Sequence, residues 1–157
     1  MDETNGLSGN DHFEPADGVA EPRRLDRRTA ASPRDWWTKR RRRYELFVSV
    51  LVVTEVERGD PTAAKERLAK LGACRILPYP PDAEALTRAL LASRLIPAKA
   101  ETDAAHVAIA AVHGMDFLLT WNCRHKANAT IVEKLRGVCA DEGFPAPVIC
   151  TPHELMV

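Results

Sequence analysis

Three polar side chains stand where apolar residues would be expected. Glu55 falls inside "VLVVTEVERG", Asp103 opens "DAAHVAIAAVHG", and Asn122 ends the run "FLLTWN". Two carboxylates and an amide are the oxygen donors that hard cations such as Mg²⁺ or Mn²⁺ bind, with several waters retained. A metal held that way can turn a water into a nucleophile and clamp a phosphodiester. Taken singly, each residue has a plainer use. Asp103 can serve the helix dipole as an N-terminal acid, Glu55 can face solvent, and Asn122 can turn the chain at a strand end. His106 lies one turn from Asp103 on the same helix face. It is a hydrogen-bonded core histidine, or it orients the acid, or it contacts substrate phosphate, a role shared with Arg124 and His125. A zinc site drawn from Cys123, His125, His106 and His113 matches no standard ligand spacing. A serine hydrolase lacks the glycines of a nucleophile elbow around Ser49.

These groups can meet only if the chain brings distant segments to one place. "YELFVS" reads as a strand at about Glu45–Val48, and Ser49 as the N-cap of an apolar helix stopping at Gly59. Asp60-Pro61 starts a second helix that ends at Gly72. "CRILPY" reads as a strand, followed by a helix capped by Asp82. A helix over 101–113, closed by Gly114, leads to the strand "FLLTW". A helix from about Asn128 to Asp141 and the strand in "PVIC" complete the pattern. Thr151, Pro152 and Glu154 spell a capping box after it. Strands separated by helices require crossover connections and give an α/β fold with a mostly parallel sheet. Ligands of such sheets gather outside the carboxyl ends of the strands. Ser49 and Asn122 both fall there.

Length and composition limit the alternatives. The 157 residues, 45% of them hydrophobic, suffice for one globular core. No apolar run is long enough for a bilayer, and the start lacks a signal-peptide pattern. Four scattered cysteines without a C-x-x-C pair indicate a reducing, cytoplasmic setting. Net charge is zero but uneven, at −6 over residues 1–22, +8 over 23–43 and −2 beyond. The run "KRRRR" (Lys39–Arg43) could attract nucleic-acid phosphates or simply be a solvated helix end. Residues 1–34 show neither helical nor alternating apolar spacing and read as a structureless tail.

"DAAHVAIAAVHGMDFLLTWNCRHKAN", "RYELFVS..V..E..RGD" and "PVICTPHEL" together resemble the PIN-domain fold. More narrowly, they are similar to the toxin members of bacterial virulence-associated toxin–antitoxin pairs. The resemblance spans about Asp35 to Val157. It implies a three-layer α/β domain over 35–157 and a Mg²⁺- or Mn²⁺-dependent endoribonuclease acting on single-stranded RNA. It also implies a homodimer held inactive by a cognate antitoxin, with no membrane attachment. Glu55 and Asp103 match the family's metal-binding acids, and Asn122 takes a later catalytic position. His125 and Asn128 match the motif of this branch without an assigned role. The family begins with a mid-sheet strand that carries an acid followed by Thr or Ser, and residues 1–34 contain no apolar run able to serve. A decayed domain that only binds an antitoxin or nucleic acid is therefore the alternative.

Permitted codons for Gly9–Arg24, read one base later, can spell Glu-Thr-Thr-Thr-Ser-Ser-Leu-Leu-Thr-Ala-Trp-Pro-Ser-Arg-Asp. Continuing through Ala31 can give Ala-Leu-Ile-Val-Gly-Gln-Gln. Residues from about Gly9 to Pro33 are then expected to be an out-of-frame translation that replaces the first strand.

Overall fold

A computed structural model describes residues 41–120, 129–152 and 154–156. The expectations for Trp121, Asn122, Cys123, Arg124, His125 and Asn128, and for residues 1–34, fall outside them. The described chain is mixed α/β with short parallel strands. A 3-10 turn at Arg41–Arg43 precedes β1 (Phe47–Ser49), α1 (Val50–Glu57), α2 (Pro61–Leu71) and β2 (Arg75–Leu77). Next come α3 (Pro81–Ala92), a 3-10 turn at Ala98–Ala100, α4 (Glu101–Val112) and β3 (Phe117–Leu119). After them follow α5 (Ala129–Asp141), β4 (Val148–Cys150) and a 3-10 turn at Glu154–Met156.

Local chemistry sets most of these boundaries. Ser49 Oγ accepts the Val52 N–H at 3.3 Å, so the last strand residue is also the cap of α1. Asp60 accepts the N–H groups of Thr62 and Ala63 at 3.0 and 2.9 Å, with Pro61 pre-set at the first helical position. The capping box forms as expected. The Thr151 N–H donates to Glu154 Oε2 at 2.7 Å, and the Glu154 N–H returns to Thr151 Oγ1 at 3.4 Å. Asp82, in contrast, is not a cap. Pro80 holds that position without a side-chain hydrogen bond, and Asp82 lies in the first turn. Two consecutive prolines fix φ at the helix entrance and move the start two residues earlier than the acid would. Gly114 closes α4 with φ at 66°, a left-handed geometry that glycine adopts without strain.

The core is helical. Leu86 and Leu90 of α3 pack on Ala104, Val107, Ala108, Ile109 and Ala111 of α4, with Leu135 and Cys139 of α5 closing the cluster. All are buried. Each fully buried Leu, Ile or Val is worth about 1.5–3 kcal/mol relative to exposure. Residues 104–111 of α4 are buried without interruption, so this helix is covered on every side. Alanines at 104, 108 and 111 let its neighbours approach closely. Leu77, Leu118 and Ile149 lie on the same cluster from the strands, as does Leu51 from α1.

The strands form two separate parallel pairs. β1 pairs with β2, bringing Phe47, Val48 and Ser49 beside Arg75, Ile76 and Leu77. β3 pairs with β4, bringing Phe117, Leu118 and Leu119 beside Val148, Ile149 and Cys150. Among the described residues no ladder joins the two pairs. Their outward faces are poorly covered: Ile76 is 58%, Phe117 42% and Val148 44% exposed.

Candidate active site

The carboxyl end of β1 is held to α4 by a buried side-chain pair. Ser49 Oγ and His106 Nδ1 are 3.1 Å apart, and His106 is 6% exposed. Ser49 thus has two duties, since its oxygen also caps α1. The bond links residues 57 positions apart and fixes the start of α1 against the second turn of α4. Of the readings of His106, the hydrogen-bonded core residue is the one the geometry matches.

Two acids extend from this joint. Glu55 lies in α1, six residues after its N-cap Ser49. It is half-buried, with its Oε2 in the interior. Asp103 lies one turn before His106 on α4 and is half-buried. It occupies the first turn of a helix whose N-cap, Ala100, offers no side-chain hydrogen bond. The positive end of the helix dipole favours a carboxylate there by about 0.3–1 kcal/mol. The Ser49–His106 pair therefore joins α1, which carries Glu55, to α4, which carries Asp103. The proposed third member, Asn122, and the substrate contacts Arg124 and His125 lie outside the described residues.

Among the described residues, no three His, Cys, Asp or Glu side chains gather as a metal-binding cluster. The described donors are two carboxylates, suited to a hard cation that keeps most of its waters rather than to zinc. His113 does not join His106. It is the C-cap residue of α4, and its Nε2 lies 3.1 Å from the Pro78 carbonyl oxygen. Seven residues of helix offset their backbone positions by about 10 Å along the axis.

The basic run is elsewhere. Arg42 and Arg43 are exposed in the turn before Tyr44, at the amino end of β1, and Ser49 is at its carboxyl end. Arg75 stands beside them. It stacks over Phe47 with its guanidinium carbon 6.0 Å from the ring centre and pairs with Glu45 at 3.0 Å. Both partners of that ion pair are exposed, so it adds little stability. Any phosphate attraction at Arg42 and Arg43 acts at the opposite end of β1 from the two acids.

The residue that spacing alone does not single out as a site member is Ser49. Its cap role is legible in "FVSVLVV", but nothing local in the sequence points from it to His106. Among the described residues no helix is long and apolar enough to cross a membrane. Comparison with protein families, with curated proteins and with solved structures finds no match for this chain.

Proposed function

We propose that this chain is a PIN-like domain whose chemistry is metal-dependent cleavage of single-stranded RNA. In this reading Glu55 and Asp103 hold Mg²⁺ or Mn²⁺, and Asn122 completes the polar group from the end of the third strand. One observation carries the reading. The half-buried acids Glu55 and Asp103 lie on α1 and α4, two helices that a buried Ser49–His106 contact holds together at the carboxyl end of β1. That is the edge at which α/β sheets bind ligands. The bound cation would lower the pKa of a water and neutralise phosphate charge. The chain's own groups would set its position. Asp103 is favoured as a carboxylate by the α4 dipole, and His106 keeps α1 and α4 in fixed relation. A cognate antitoxin, a homodimer and a cytoplasmic location belong to the same proposal. The free thiols at Cys139 and Cys150 suit a reducing compartment.

The split sheet supports a second reading, in which the domain has lost activity and retains only antitoxin or nucleic-acid binding. Cleavage of single-stranded RNA with Mn²⁺, compared between the chain and Asp103→Ala, separates the two. The nuclease reading expects cleavage that falls by about a hundredfold or more in the variant. Cleavage unaffected by Asp103→Ala refutes the metal site. A folded chain that cleaves nothing in either form supports the decayed domain.

A further inference from the structure

The amino ends of the strands carry a different chemistry from the acids. Arg42 and Arg43 are exposed in the turn that precedes Tyr44. Arg75 opens β2 in register with Phe47, which opens β1, and its backbone N–H donates to the Leu46 carbonyl at 3.2 Å. Its side chain is 75% exposed, with the guanidinium carbon 6.0 Å from the centre of the Phe47 ring. Tyr44 meets Phe117, the exposed first residue of β3, edge to face at 6.2 Å between ring centres. These contacts set the amino ends of β1, β2 and β3 side by side, with three arginines interleaved among three rings. Among the described residues, the exposed acids beside them in sequence are Glu45, already paired with Arg75 at 3.0 Å, and Asp116. One positive charge is left in excess, and Lys39, Arg40 and Arg41 stand next in the sequence with three more.

We propose that this edge is a docking surface for single-stranded nucleic acid, at the opposite end of β1 from the two acids. Guanidinium groups hold phosphate oxygens through paired N–H donors, and aromatic rings accept unpaired bases by stacking, whatever the base. An acidic peptide would use the charge but leave the rings without flat partners. A duplex keeps its bases stacked on one another and out of reach of the rings. The Glu45–Arg75 pair does not block the surface. Both partners are exposed, so their attraction is weak, and a guanidinium has five donors, enough to keep Glu45 and still take a phosphate. No metal enters this contact. The inference is therefore independent of the nuclease reading and holds for an active or a decayed site.

The test follows binding of a fluorescein-labelled ten-nucleotide uridine RNA to the full chain by anisotropy, with EDTA present so that metal-dependent cleavage cannot contribute. Binding should weaken as salt rises. Replacing Arg42, Arg43 and Arg75 together by glutamine should make the slope of log K against log salt shallower by about 2, at about 0.7 for each phosphate contact on a single strand. Phe117→Ala should weaken binding about fivefold or more at unchanged slope, the loss of one stacked base. A second measurement needs no variant. In the unaltered chain, bound RNA should shield Arg42, Arg43 and Arg75 from phenylglyoxal, while the exposed Arg88 of α3 and Arg136 of α5 still react. No binding, an unchanged slope in the folded triple variant, or equal reactivity of all five arginines overturns the inference. So does equally tight binding of a ten-residue polyglutamate peptide, which would make the surface a site for acidic protein segments.

Discussion

Replacing Ser49 with alanine removes two interactions with one oxygen. The first is the cap bond to the Val52 N–H, worth about 1 kcal/mol in comparable helices. The second is the buried bond to His106 Nδ1. Its loss withdraws the partner of a buried ring nitrogen and costs about 1–3 kcal/mol. Together they predict a loss of about 2–4 kcal/mol. With a urea slope of about 2 kcal/mol/M, the unfolding midpoint should fall by about 1–2 M at unchanged slope. A double-mutant cycle isolates the buried bond. His106→Leu alone leaves the Ser49 hydroxyl facing an apolar side chain, but in the double variant both polar groups are gone. Its cost should therefore be smaller than the sum of the single costs by about 1 kcal/mol. Circular dichroism through a urea titration reads all four members of the cycle. A shift for Ser49→Ala within about 0.5 kcal/mol of zero, or strict additivity in the cycle, would refute the claim that this pair fastens β1 to α4.

Two further outcomes follow from burial. Leu86→Ala empties a fully enclosed position and should cost about 2–5 kcal/mol. Ile76→Thr, on a half-covered face of β2, should change stability by less than about 1 kcal/mol, so equal midpoints for the two variants would contradict the placement of the core. The second outcome concerns the thiols. Burial raises the Cys139 thiol from 9.0 to about 11, and burial with the nearby Glu154 charge raises Cys150 likewise. Neutral thiols are thus favoured in the folded chain. They add stability that is fully present below pH 9 and is lost as pH rises towards about 11. Urea melts at pH 8 and pH 10.5 should show this loss, reduced when both cysteines are replaced by alanine. An identical pH response in that double variant would count against it. At pH 8 iodoacetamide should label Cys74 well before either buried thiol.

The parts of the fold legible from sequence are those decided within one turn of chain. Asp60-Pro61, Gly72, Gly114 and Thr151 with Glu154 mark element ends through hydrogen bonds or φ values that involve neighbours only. Asp82 misleads because two signals overlap, and the proline pair acts two residues ahead of the acid. Strand lengths are also overread. "CRILPY" suggests six residues, but pairing extends only over Arg75–Leu77, since Pro78 and Pro80 have no N–H for a ladder. The candidate site is half legible. Glu55 and Asp103 stand out against apolar surroundings, but the contact that brings their helices together spans 57 positions. No periodicity carries that information. Among the described residues the strands fall into two pairs, and only pairing makes that division visible.

The small side chains of α4 have a consequence for how this protein tolerates change. At Ala104, Ala108 and Ala111, with 0%, 0% and 1% exposure, the only smaller residue is glycine. Every other replacement enlarges a site that is already fully buried. Glycine within a helix costs about 0.5–1 kcal/mol, and an added side chain forces repacking at about 1–3 kcal/mol. Leu86, Leu90 and Leu135 can shrink or change shape and be compensated by a neighbour. The central helix has no such room, so variation that preserves the fold must accumulate on the helices around it.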